Sequence, residues 1–316
     1  MSRVAVLKGG RSLERQVSLS SGARAEDALE RLGHDVIAID AGTDFVERLA
    51  ALAPEVAFIA LHGRDGEDGT VQELLDVLGI PYTGSRVSAC IRCADKVLAK
   101  HVLRDHGIPT PDFHAFSETA FRELGAAQAL PAIEQRLAFP LVVKPAGQGS
   151  ALGIKFARVA ADVPMALVSA FSYDRKVLLE RYVPGRDLAV SVVDDADGTP
   201  HALPIVEAVP TEKDFYDFEA RYEIGRTRFV CPAELEPAVA ERASALAVEA
   251  YRALGCEGFA RIDLMLREED GELFVLEANI VPGLTETSLL PQAAEAAGIS
   301  FDALIGRVLE LALARA

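Results

Sequence analysis

The sequence predicts an α/β protein whose N-terminal part is a parallel sheet with crossover helices and whose remainder mixes strands and helices in α+β fashion. Three observations carry this reading. Up to Pro81, short apolar runs alternate with segments of helical apolar spacing, which is the signature of βαβ units. A strand at Pro140–Lys144 then empties into a glycine-rich loop. Closer to the C-terminus, the strand-like runs Phe259–Leu266 and Leu273–Leu276 are joined by Glu268-Glu269-Asp270-Gly271, as a hairpin turn would join them.

The elements follow in order. Arg3–Leu7 is a strand ending in the turn Lys8-Gly9-Gly10, and Ala25, Ala28, Leu29 and Leu32 mark the first helix. Val36–Ile39 is the second strand, and Phe45, Val46, Leu49 and Leu52 mark the second helix. Val56–Leu61 is the third strand. Val71, Leu74, Leu75 and Leu78 repeat the helical spacing until Gly79-Ile80-Pro81 stops it. Ligands of such a sheet sit beyond the carboxyl ends of its strands. Two loops lie there: Gly9-Gly10-Arg11-Ser12-Leu13-Glu14, and His62-Gly63-Arg64-Asp65-Gly66-Glu67-Asp68-Gly69. The first lacks the glycine spacing of a dinucleotide fingerprint, which excludes a dehydrogenase of that type. The second packs three glycines and four charges into eight residues, and a solvated turn explains it as well as a binding loop does.

The sheet pattern ends around Ser85–Lys96, and a helix runs to about Asp105. Pro140–Lys144 delivers a lysine into Pro145-Ala-Gly-Gln-Gly-Ser-Ala-Leu-Gly153, a loop whose backbone amides could cradle phosphate. It is not a Walker A loop, because Lys144 precedes the glycines rather than following them. Val177–Glu180 is a short strand that could offer backbone groups and Glu180 to an adenine edge, though an edge strand explains it equally. Leu188–Val193 alternates as a strand and His201–Val206 returns beside it. Phe215-Tyr-Asp-Phe-Glu-Ala-Arg-Tyr222 combines aromatics with charges, as a loop closing over a ligand would. Helices at about Leu235–Leu254 and Phe301–Ala314 complete the chain.

The hairpin carries the most specific chemistry. Glu277 and Asn279 share one strand face, as do Arg261 and Asp263. Pairing the strands brings Asp263, Glu277 and Asn279 together as three hard oxygen donors, suited to Mg²⁺ beside a polyphosphate. A solvated polar face is the plainer alternative. The apolar residues flanking Glu277 and Asn279 favour the ion, because an unpaired buried carboxylate is costly.

The 316 residues suit roughly two or three domains. Half are apolar and a quarter charged, and the formal charge of −16 disfavours nucleic acid and anionic membranes. No signal peptide precedes Arg3 and no apolar run would span a bilayer, so a cytoplasmic location is expected. Four cysteines fit a reducing compartment, and Cys90-x-x-Cys93 reads as core filling because no second pair follows at zinc-like spacing.

Taken in order, these motifs resemble the D-alanine–D-alanine ligase family of the ATP-grasp fold. The resemblance covers nearly the whole chain: Gly9-Gly-Arg-Ser-Leu-Glu14, His62–Gly69, Gly79-Ile-Pro-Tyr-Thr-Gly84, Asp95-Lys96, Lys144-Pro145, Gly149-Ser150, Phe215–Tyr222, Arg261-Ile-Asp263, Glu277-Ala-Asn279 and Pro282-Gly-Leu-Thr285. It implies an N-terminal α/β domain over 1–94, a central ATP-grasp lobe over 95–183 and a C-terminal lobe with the magnesium site over 184–316. It implies an ATP-dependent ligase that joins two D-alanines through an acyl phosphate for peptidoglycan precursors, as a homodimer.

Residue by residue, the resemblance gives Lys96 and Lys144 to the ATP phosphates, Glu180, Arg181, Tyr182 and Val183 to adenine, and Asp187 to the ribose. Phe215 and Arg221 fall with the nucleotide. Asp263, Glu277 and Asn279 become ligands of two Mg²⁺ ions, with Mn²⁺ as a substitute. Glu14, Ser150 and Tyr222 form a hydrogen-bonded trio at the first D-alanine, near His62 and Val17. Arg261 and the Gly283 N–H form the oxyanion site, and Ser288, next to Leu289, takes the second carboxylate. Three positions depart from the family pattern: the phosphate loop Ala146–Ala151 has fewer side-chain donors, Arg221 replaces a usual lysine, and Thr287 a frequent histidine. Two other readings fit parts of the pattern: a related ligase using D-lactate or another amino acid, and a weakly active nucleotide-binding relative.

Overall fold

The computed structural model describes residues 1–210 and 227–315. The N-terminal unit is built as expected: β1 (Arg3–Lys8), α1 (Arg15–Arg31), β2 (Asp35–Asp40), α2 (Phe45–Leu52), β3 (Val56–Ile59) and α3 (Thr70–Leu78). The strands are parallel in the order β2-β1-β3. Alternate side chains point to opposite faces, and both faces are buried, so the strands read as continuous apolar runs. Val4, Val6, Val56 and Phe58 pack on Ala25, Ala28 and Leu29 of α1. Ala5, Leu7, Ala57 and Ile59 pack on Phe45, Leu49, Val71 and Leu75.

Where one helix was expected, two occur: α4 (Val87–Ala94) and α5 (Lys96–Asp105). Asp95 divides them. Its backbone is extended and its carboxylate accepts the Val97 and Leu98 N–H groups at 2.9 and 3.1 Å, so it caps α5. Cys90 and Cys93 on α4 are buried free thiols, and Cys93 Sγ lies 3.8 Å from Cys256 Sγ. The sulfur contact and burial push the Cys93 thiol well above its ordinary range, consistent with core filling.

A four-stranded antiparallel sheet follows, formed by β4 (Phe113–Ser117), β5 (Leu141–Pro145), β6 (Lys155–Ala157) and β7 (Lys176–Arg181) in the order β4-β7-β5-β6. Its helices are α6 (Glu118–Arg122), α7 (Leu130–Leu137) and α8 (Val163–Phe171). Because β7 sits between β4 and β5, it is not an edge strand.

The last sheet has six strands: β8 (Gly185–Asp194), β9 (Pro200–Ala202), β10 (Val206–Pro210), β11 (Thr227–Val230), β12 (Phe259–Arg267) and β13 (Leu273–Asn279). The order is β11-β10-β8-β12-β13, with β9 also on β8. Its helices are α9 (Pro237–Leu254), α10 (Leu289–Ala296) and α11 (Phe301–Leu313). β8 does not alternate as predicted but is buried from Leu188 to Asp194. Leu188, Val190 and Val192 cluster with Ala243 and Ala247 of α9, while Ala189 and Val193 cluster with Leu290 and Ala293 of α10. A helix on each face removes the solvent side that alternation requires. α11 packs Leu304, Ile305 and Val308 against α1 and the first sheet, so the chain's last helix closes over its first.

Candidate active site

The hairpin forms in the register that the motif requires. β12 and β13 pair antiparallel, with Arg261 opposite Asn279 and Asp263 opposite Glu277, and the register shifts just after Asp263. Such a bulge re-aims neighbouring side chains. Arg261 and Asp263 form a two-pronged pair, Nε to Oδ1 at 2.6 Å and Nη2 to Oδ2 at 2.9 Å. Glu277 Oε2 lies 3.0 Å from Lys96 Nζ, and Lys96 also donates to the Gln148 carbonyl at 2.8 Å. The first residue of α5 thereby ties the glycine-rich loop to the hairpin. Asp174 holds that loop from the other side, accepting the Gly147 N–H at 2.6 Å.

Two cavities meet here. One, of about 410 Å³, is lined by Glu14, Val17, His62, Ser150, Arg261, Asn279, Gly283 and Ser288. The other, of about 490 Å³, lies between the two antiparallel sheets and is lined by Lys144, Glu180, Arg181, Tyr182, Val183, Asp187 and Asp263. Lys96, Glu277 and Leu289 line both. Every candidate except Phe215, Arg221 and Tyr222 therefore borders one of two adjacent cavities, and those three lie outside the described residues.

Residues distant in sequence are drawn together at the first cavity. Ser150, at the left-handed φ of 52°, donates its hydroxyl to Glu14 at the start of α1. Burial, reinforced by the nearby Glu67 charge, raises the Glu14 carboxyl above its ordinary range despite that hydrogen bond. Gly63, at φ +70°, presses against the same carboxylate: a Cβ there would meet Glu14 Oε2 at 2.4 Å. Gly63 is thus more than turn punctuation: its positive φ and its closeness to Glu14 both favour glycine there. The Gly9-Gly10 loop is held structurally. Gly9 N–H donates to Ser18 Oγ at 2.9 Å, and Asp40 accepts from Gly10 N–H and from Arg15.

Glu180 lines the second cavity with its carboxylate already engaged. It is almost fully buried between two ammonium groups, Lys100 at 2.6 Å and Lys144. Burial alone would raise its pKa, but the two lysines hold it below the usual carboxylate range. Lys100, fully buried and also bonded to Thr110 Oγ1, is pushed down to about 8 by desolvation.

The comparisons with known proteins agree with this geometry. Family profiles described as "D-ala D-ala ligase N-terminus" and "D-ala D-ala ligase C-terminus" match residues 41–85 and 102–310. The D-alanine–D-alanine ligase of Moorella thermoacetica is 42% identical over 311 residues, covering 98% of this chain and 99% of its own. That of Syntrophotalea carbinolica is 44% identical over 307 residues, covering 97% and 95%. The chain belongs to the D-alanine–D-alanine ligase family. The crystal structure of the Bacillus anthracis D-alanine–D-alanine ligase complexed with ATP superposes with a TM-score of 0.83 at 32% identity, covering 100% of this chain and 98% of that one. The fold is accordingly an N-terminal parallel α/β domain followed by a two-lobed ATP-grasp.

Some residues lining or backing the cavities carried no sequence signal. Phe156, its ring centroid 5.4 Å from that of Tyr182 and edge to face with it, walls the second cavity with Ile154 and Met265. Phe156 sits in a strand of three residues, too short to show periodicity. Lys100 looked like any polar position of an amphipathic helix.

The Gly283 loop gives a direct test. A Cβ at Gly283 would lie 2.6 Å from Ser288 Oγ, which accepts the Thr285 N–H at 3.0 Å and closes the turn. Gly283→Ala is expected to lower kcat by up to about 10²-fold, the cost of a small misplacement of reacting groups. Unchanged kcat and KM for D-alanine would show that the loop has slack.

Proposed function

We infer that this chain joins two D-alanines into D-alanyl-D-alanine with cleavage of ATP to ADP and phosphate, for peptidoglycan precursor synthesis. The observation that carries the reading is the adjacency of the two cavities, which share Lys96 and Glu277 in their linings, in a chain similar to these ligases along its whole length. One cavity, partly apolar and carrying Lys96 and Lys144, supplies the cleft for the nucleotide. The other supplies a small polar chamber for two amino acids.

A carboxylate is a poor electrophile, so its oxygen first attacks the γ-phosphorus of ATP, and ADP leaves. The amine of the second amino acid then attacks the acyl phosphate carbonyl and loses a proton, and phosphate leaves. Lys96 and Lys144 neutralise the phosphates, since phosphoryl transfer depends chiefly on positioning and charge. Glu14 and Ser150 orient the first D-alanine beside His62. Arg261 and the Gly283 N–H meet the oxyanion of the tetrahedral intermediate, and Ser288 takes the second carboxylate. Phe215, Arg221 and Tyr222 lie outside the described residues; the family resemblance gives the first two to the nucleotide and Tyr222 to the Glu14–Ser150 trio.

Asp263, Glu277 and Asn279 would hold Mg²⁺. The fit is good: two carboxylates face each other across the strand pair, Asp263 paired with Arg261 and Glu277 with Lys96. Bound there, Mg²⁺ supplies charge neutralisation at the transferring phosphoryl group. Glu277→Gln is expected to raise the Mg²⁺ concentration for half-maximal turnover by at least about 10- to 100-fold, the range seen even for outer-shell partners, with little change in Tm. Normal activity at low Mg²⁺ would remove Glu277 from the metal site.

A cytoplasmic homodimer completes the proposal. No helix among the described residues is long and apolar enough to cross a membrane. Sedimentation of the purified chain tests the dimer. Phosphate release with D-alanine, D-lactate and L-alanine, singly and in pairs, tests the reaction. Release with D-alanine alone is expected. Release only in the presence of D-lactate favours the related-ligase reading, and AMP with pyrophosphate excludes the acyl phosphate.

A further inference from the structure

Ser21, fully buried on α1, stands between two loops of the first cavity. Its Oγ receives the Leu284 N–H at 3.1 Å and lies 3.0 Å from His62 Nε2. One helical turn on, Arg24 donates to the Leu284 carbonyl, with its guanidinium 4.2 Å over the Phe301 ring. Both backbone groups of Leu284, the residue after Gly283, are therefore held by α1. On the other side of the imidazole, His62 Nδ1 lies 3.6 Å from Glu67 Oε1, and the His62 carbonyl accepts the Ser12 hydroxyl at 2.6 Å.

We propose that Ser21 is a positioning residue that sets the tautomer of His62 and anchors the Gly283–Leu284 oxyanion loop to it through one hydroxyl group. A serine hydroxyl has a single proton to donate. With the Leu284 N–H already pointing at its oxygen, Ser21 has one acceptor in reach among the described residues, His62 Nε2. The imidazole proton is therefore on Nδ1, directed at the Glu67 carboxylate, since the bond made at one ring nitrogen fixes the state of the other. The result is a directional chain of donors, Leu284 to Ser21 to His62, with the Glu67 carboxylate 3.6 Å beyond His62 Nδ1, joining the loop after β13 to the loop after β3. It makes the chamber wall and the oxyanion donor one rigid unit floored by α1. The catalytic consequence rests on the ligase reading. The tautomer does not.

The test uses the full-length ¹⁵N-labelled protein. Long-range ¹H–¹⁵N spectra of the imidazoles, with His62 assigned by its loss in His62→Gln, are expected to show a protonated Nδ1 and a bare Nε2. An Nε2–H tautomer in the unsubstituted protein overturns the proposal, whatever any variant does. Ser21→Ala is expected to abolish this single-tautomer signature and to lower kcat on the order of 10²-fold while KM for ATP holds. Ser21→Thr, which keeps the hydroxyl, is expected to restore the signature. A folded Ser21→Ala protein with normal kcat and an unchanged His62 spectrum overturns the proposal. If the unsubstituted protein showed the expected tautomer but released no phosphate with D-alanine, the ligase reading would fail and the positional chain would stand.

Discussion

Arg261→Ala is expected to lower kcat on the order of 10²–10³-fold, the usual cost of removing one oxyanion donor, with a modest change in the KM for ATP. The reasoning is differential: a group that meets charge developing only at the tetrahedral stage affects turnover more than ground-state binding. The structure makes the experiment sharper, because Arg261 also grips Asp263 through two hydrogen bonds, at 2.6 and 2.9 Å. A purely structural role would act through that grip. It predicts lost melting temperature and lost Mg²⁺ affinity together, with turnover recovered at high Mg²⁺. The oxyanion role predicts that the kcat deficit persists at saturating Mg²⁺. Arg261→Lys keeps the charge and loses the fork, so at best a partial rescue is expected. Near-normal kcat in either variant would sink the oxyanion assignment.

The parts of the fold that were legible in the sequence are those governed by local periodicity. Leu273–Leu276 followed by Glu277 and Asn279 places donors on one face by the geometry of a strand alone, and the observed register agrees. β1 to β3 were legible because strands covered on both faces are apolar throughout. What was not legible depends on tertiary partners. β8 was read as half-exposed because nothing local announces that α9 and α10 cover its two faces. Asp95 was read through, since an aspartate inside a helical pattern becomes a cap only when the backbone turns. Ser21 stands beside Ser20 in a weak helix-forming run, and its role comes from Leu284, 263 residues away. Lys100 was invisible for the same reason: Glu180, its partner, comes from strand β7, distant in sequence.

That pair gives the second large effect. Glu180→Gln is expected to destabilise the protein by about 3–5 kcal/mol, the range for removing one partner of a buried ion pair, measured by denaturant unfolding at pH 7. The glutamine would occupy similar space and offer one acceptor, but Lys100 is 1% exposed and would keep a charge without a counter-ion. The pH dependence follows from the proton balance. In the parent, Lys100 titrates at about 8 when folded and at its ordinary 10.5 when unfolded. Below about 8 both states hold the proton and this group adds no slope. Between about 8 and 10.5 the unfolded chain binds more protons, so stability from this group rises with pH. In Glu180→Gln the folded Lys100 loses its attraction and releases its proton at lower pH, so the rise begins earlier. The gap between parent and variant should therefore narrow as pH climbs toward about 8 and stay constant above it. At the acid end, the parent's Glu180 is held below its ordinary range. Its contribution is complete above that range and is lost as pH falls through the folded value, so the gap should close there as well. A gap that is flat from pH 6 to 9 would show that Lys100 is not the charge Glu180 balances, and that the carboxylate serves Lys144 alone.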